Sequence, residues 1–115
     1  MKRRVNASPL LFVFIVACQG VDLKPVNIMA EDMCAFCRMA ISETRYAAEF
    51  IDADGMPFKF DDLGCLRHYL QARQKQQDIA AFFAVNVETR EWMPAEQAYY
   101  VRSVEFKTPM RGGIV

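Results

Sequence analysis

At 115 residues the chain has room for one domain, and 53% hydrophobic against 24% charged content is enough to build a packed core. Formal net charge is zero, but Lys2, Arg3 and Arg4 sit at the extreme N-terminus. The rest of the chain carries 11 basic against 14 acidic residues, about −3. A mildly acidic domain lacks the electrostatic footprint of nucleic-acid binding, so no nucleic acid is expected among its partners.

The first residues read as a leader. Lys2, Arg3 and Arg4 form a positive start, Leu10 to Ala17 is an unbroken apolar run, and small Ala17 precedes Cys18. This pattern is a secretory signal, too short to span a bilayer as a mature helix. Ile15-Val16-Ala17-Cys18 resembles a lipobox, in which the cysteine thiol is acylated and the chain is cut just before it. The alternative is an ordinary signal peptide with an incidental cysteine. Residues 1–17 are thus expected to be removed, and a lipid (palmitate or similar) on Cys18 to anchor the protein in the cell envelope, facing the periplasm. Each buried methylene of such a chain contributes ~0.8 kcal/mol, so two or more chains hold stably. Residues 18–30, polar or small and containing Pro25, read as a tether, and 31–115 as the folded domain.

Within that domain Tyr46–Ala53 has an extended, apolar-rich pattern and Met56–Phe60 alternates apolar with polar. Asp54-Gly55 between them predicts a hairpin, and Pro57 a free edge where the second strand begins. Asp61 and Asp62 supply a helix cap, and Leu63, Leu66, Tyr69 and Leu70 recur at helical spacing, which predicts a helix to about Gln76. Phe82–Val87 reads as a third strand. Pro94–Val101 reads as a short helix with Pro94 in its first turn. Thr108–Gly113 is a loop by its Pro and Gly content. The order strand, strand, helix, strand predicts a small α+β domain of ββαβ type, one sheet with helices on one face.

The chemistry-bearing feature is sulfur. Cys34 and Cys37 are separated by two residues and flanked by Met33 and Met39; Cys65 lies on the predicted helix and Met110 on the C-terminal loop. Three uses are open on spacing alone. Structural zinc wants four Cys or His ligands, and a second ligand pair is missing. His68 falls opposite the leucine face and reads as solvated, and Cys65 reads as a buried structural thiol. A Cys34–Cys37 pair could also work by thiol–disulfide exchange or lock the domain as a structural disulfide, since exported cysteines tend to oxidise. Soft thiolates and thioethers select Cu(I), for which low coordination suffices.

Taken together, Cys34-x-x-Cys37-x-Met39, Phe60-Asp61-Asp62-Leu63-Gly64-Cys65, Glu91-Trp92-Met93-Pro94-Ala95, Ala98-Tyr99-Tyr100-Val101 and Thr108-Pro109-Met110 resemble the NosL family in order and spacing. The resemblance implies a lipoprotein built on small ββαβ units that delivers Cu(I) during assembly of the copper centres of nitrous oxide reductase. It implies a metallochaperone rather than an enzyme, with a copper-accepting client or maturation complex as partner. By resemblance the metal ligands are Cys37 and Met39 first, then Cys34 and Met110. Arg38 departs from the family pattern, which usually has Gly between the Cys and the Met, and Asn86-Val87 stands where a His-Asp-like pair is common. Typical members continue into a second unit beyond the point matching Val115.

Overall fold

The computed structural model describes residues 23–73 and 78–115. The leader, Cys18 and the predicted helix end near Gln76 lie outside the described residues. Four antiparallel strands form one sheet: β1 (Ala48–Asp52), β2 (Pro57–Phe60), β3 (Ile79–Val85) and β4 (Trp92–Pro94), in the order β2-β1-β3-β4. Among the described residues one α-helix, α1 (Leu63–Ala72), is present and follows β2 directly. The α+β class and the ββαβ order expected from the sequence are both present. Among the described residues no helix is long and apolar enough to cross a membrane.

The hairpin forms where Asp54-Gly55 predicts it. Gly55 takes φ +82°, and the Asp52 carboxylate accepts the N–H groups of Asp54 and Met56 across the turn. Pro57 begins β2, an edge strand, where its missing N–H costs no ladder bond. The strand expected from Tyr46 starts at Ala48, because Thr44–Tyr46 closes as a 3-10 turn capped by Glu43.

β1 is central and buried along its whole length. Alternation sends Ala48 and Phe50 to one face and Glu49 and Ile51 to the other. On the first face Phe50 packs with its cross-strand neighbours Phe58 and Phe82, with Phe60, and with Tyr69 of α1. Leu66, the most buried leucine of the helix, closes this core, and Leu63 and Leu70 pack beside it. Period two meeting period 3.6 at the strand–helix junction therefore produces the layer the sequence predicts.

The opposite face is covered by the segment preceding Cys34. The Val26 N–H donates to Glu49 Oε1 at 2.9 Å, and Lys59 Nζ donates to the Asn27 carbonyl and pairs with the Asp32 carboxylate. Ile28 packs on the core. The segment read as a tether to Ala30 is thus held against the sheet from Val26 onward, because a buried carboxylate and a half-buried lysine on that face need partners.

The C-terminal third departs most from expectation. Pro94–Val101 is not a helix: Pro94 ends β4, Ala95–Gln97 makes one 3-10 turn, and the chain then runs extended. Trp92 and Met93 pair with Val85 and Ala84, so the ladder of β3 claims residues whose local signal favoured a helix start. Asn86, where the strand was expected to continue, instead forms the β3–β4 turn and accepts the N–H groups of Glu88 and Thr89 on its side chain. Residues 101–115 close on themselves: Val101 and Val115 exchange two backbone hydrogen bonds, and the Ser103 N–H donates to the Gly113 carbonyl.

Candidate metal centre

Cys34 and Cys37 lie on one tight loop. The Cys34 N–H donates to the Met39 carbonyl at 2.8 Å, and the Arg38 N–H to the Cys34 carbonyl at 3.0 Å. Arg38 takes φ 64°, the left-handed region, which glycine adopts without steric cost and an arginine does not. The loop is tied to the outer edge of β2 by the Ala35 N–H donating to the Lys59 carbonyl at 2.8 Å. That bond brings the two thiols to the end of β2, where the chain passes through Asp61 and Asp62 into α1.

Asp62 caps the helix: its Oδ1 accepts the Cys65 N–H at 2.8 Å. Cys65 is thereby fixed in the first turn, facing the loop. Cys34, Cys37, Asp61 and Cys65 converge, with one ligand atom of each lying within 4.8 Å of all the others. Cys34 and Cys65 are fully buried and Asp61 nearly so, whereas Cys37 reaches the surface. The Cys37 thiol donates to Asp61 Oδ2 at 3.2 Å, and the Cys34 sulfur lies within 4.8 Å of both other thiols.

Burial dominates the electrostatics. It pushes the Cys37 thiol up to about 11 and the Cys65 thiol higher still, with the neighbouring sulfurs adding to both. Burial also raises Asp61, partly offset by the hydrogen bond from Cys37. The Cys37 and Cys65 thiols are therefore protonated at neutral pH until a cation displaces their protons.

The donor set suits a soft ion. Three sulfurs match the preference of Cu(I) for thiolates, and Asp61 offers one hard oxygen. Four ligands at a Zn–S distance of ~2.3 Å would place sulfurs about 3.8 Å apart, so closing on an ion of this size needs a contraction of at most roughly 1 Å at the widest pair.

The residues expected from sequence fall into two groups. Cys34 and Cys37 are in the cluster. Met39 follows Cys37 on the same loop with its side chain 67% exposed. Met110 belongs to a loop docked at the start of α1: its N–H donates to Asp62 Oδ2 at 2.6 Å, and its Cβ lies 3.3 Å from where a side chain on Gly64 would begin. Cys65 and Asp61 are the members that spacing did not single out. Their signal was Phe60-Asp61-Asp62-Leu63-Gly64-Cys65: one aspartate is needed as the cap, which leaves the other, and a cysteine three residues after the cap points back to the same junction. His68 is outside the cluster; its ring stacks on Phe36 at 5.5 Å between centroids and braces the loop against α1.

The fold and this cluster define a small α+β domain with a thiol-rich centre able to hold a metal, placed at its sheet–helix junction. A family profile matches residues 25–115, and the chain belongs to the NosL family, whose members are copper-binding accessory proteins and not a known class of enzyme. No curated protein and no solved structure gives a significant match.

Proposed function

We propose that this chain is a membrane-anchored Cu(I) metallochaperone that supplies copper during assembly of a copper enzyme such as nitrous oxide reductase. The observation that carries the reading is the convergence of three thiols on one point in a NosL domain, with one of them, Cys37, at the surface. Burial in a soft pocket favours retention of Cu(I), and an accessible thiol gives an incoming ligand a place to begin exchange. Met39 beside Cys37, and Met110 on the loop held by Asp62, supply thioethers at the rim, which bind copper without losing a proton. A lipid on Cys18 would hold the domain at the periplasmic face of a membrane, where its client is assembled.

Two measurements test this. The loaded protein is incubated with copper-free client enzyme, and copper transfer and recovery of the client's absorption are followed. Transfer from wild type and none from Cys37→Ser is expected; equal transfer from both would reject the role of Cys37. For the anchor, Cys18→Ser is expected to abolish palmitate labelling and release the protein from membranes, and unchanged labelling would reject it.

A further inference from the structure

We propose that the same three thiols form a thiol–disulfide exchange centre, in which Cys37 attacks the oxidant first, Cys34 resolves the adduct and Cys65 is the thiol left over. Its consequence for the metal rests on the copper reading above; the exchange chemistry does not.

The geometry assigns each sulfur a different part. Three thiols within 4.8 Å of one another can make only one disulfide, so one of them always remains. Among the described cysteines Cys37 alone has surface exposure, whereas Cys34 and Cys65 are fully buried, so an external disulfide reaches the cluster at Cys37. Cys34 has its sulfur within 4.8 Å of both other sulfurs. It also shares the tight loop with Cys37, closed by the Arg38 N–H to the Cys34 carbonyl, which keeps the pair together after one sulfur has reacted.

The oxidant is a small-molecule or protein disulfide. In the first step the small fraction of Cys37 present as thiolate attacks one of its sulfurs; the Cys37–S bond to the oxidant forms, the oxidant's S–S bond breaks, and its second half leaves as a thiolate that takes up the proton lost by Cys37. In the second step Cys34 attacks the Cys37 sulfur, the Cys34–Cys37 bond forms, and the first half leaves as a thiol carrying the Cys34 proton. Two protein thiols are oxidised and one disulfide is reduced to two thiols.

The oxidised centre keeps only Cys65 and Asp61 free, one soft ligand where there were three. A bound ion occupies the sulfur lone pairs that the exchange needs. Metal retention and disulfide formation are therefore mutually exclusive, and the loaded site is protected from oxidation while the empty one is not.

The test uses the full-length protein, reduced and then exposed to oxidised glutathione. Samples are quenched in denaturant with N-ethylmaleimide and peptide-mapped over time. The expected map shows the first glutathione adduct on Cys37, then a Cys34–Cys37 disulfide, with Cys65 alkylated throughout. In Cys37→Ser the cluster should oxidise roughly tenfold more slowly or worse, since only its two buried thiols remain. One equivalent of Cu(I) should suppress oxidation of the wild type. A Cys34–Cys65 disulfide, a first cluster adduct on Cys34 or Cys65, or a Cys37→Ser cluster rate equal to wild type overturns the proposal. A correct map and rate in a protein that retains no Cu(I) overturns the copper reading and leaves the exchange centre standing.

Discussion

Asp62 and Met110 are joined by a 2.6 Å hydrogen bond from the Met110 N–H to Asp62 Oδ2, across 48 residues of chain. The other oxygen of that carboxylate caps α1 at Cys65. One buried side chain therefore fixes both a thiol of the cluster and the loop that carries the distant methionine. Gly64 permits the approach, since a Cβ there would lie 3.1 Å from Asp62 Oδ1 and 3.3 Å from Met110 Cβ.

Removing that carboxylate should release both. Asp62→Ala is expected to lower stability by about 0.5–2 kcal/mol for the lost cap, with the loop bond lost in addition. Hydrogen exchange should rise at the Met110 amide as well as in the first turn of α1. Exchange confined to the helix would show that the loop is held by something else.

Arg38 holds a left-handed conformation that costs an L-residue roughly 1–2 kcal/mol. Arg38→Gly is expected to raise stability by about 0.5–1 kcal/mol, the remainder being offset by the greater freedom of glycine in the unfolded chain. Urea denaturation of the reduced protein reads this directly. A loss of stability would mean that the arginine side chain contributes a contact worth more than its backbone strain.

Gly113 and Gly112 make an internal control. Gly113 has φ +61°, and a Cβ there would meet the Ser103 carbonyl oxygen at 2.2 Å, whereas Gly112 faces open space. Gly113→Ala should open the Val101–Val115 closure and destabilise by more than ~1 kcal/mol, while Gly112→Ala stays within ~0.5 kcal/mol. Equal thermal midpoints for the two variants would contradict the packing described for the C-terminal loop.

The fold was legible wherever a local signal agreed with tertiary demand. Asp54-Gly55 marked the hairpin, Pro57 the sheet edge and Asp62 the cap, and Leu66 pointed to the core; each is a short-range rule obeyed in place. Pro94–Val101 failed because the pairing of β3 with Trp92 and Met93 overrode local helix preference. The site was half legible. Cys34 and Cys37 are neighbours in sequence, so their convergence needed no fold. Cys65 and Asp61 join them only because the Ala35–Lys59 bond carries the loop to the end of β2, and no sequence periodicity encodes that bond.

Glu49 gives the pH dependence a definite sign. It is fully buried, with Oε2 lacking a hydrogen-bond partner among the described residues, and burial raises it above the ordinary carboxylate value of 4.5. The folded state therefore binds this proton more tightly than the unfolded state. Stability from this group falls as pH rises above 4.5 through the raised folded value, and recovers on acidification. Asp32, held low chiefly by its bond to Lys59, works the other way and loses stability as pH drops below its ordinary 3.8. Glu49→Gln should reduce the decline above 4.5, leaving the share of the raised Asp61, and leave the acid limb intact. An unchanged profile from pH 4.5 to 7 would exclude Glu49 as its source.

The central claim is that copper is held by the converged thiols. It is tested most directly by a Cu(I) competition titration against a chromophoric chelator under reducing conditions, comparing wild type with Cys65→Ser at two pH values. The account predicts one tightly held Cu(I) per wild-type chain, with affinity weakening as pH falls because protonated thiols must be displaced. It predicts markedly weaker retention by Cys65→Ser, with the pH dependence reduced by the one thiol removed. Copper held equally by both proteins, with the same pH dependence, would place the ion outside the Cys34, Cys37 and Cys65 cluster and contradict the account.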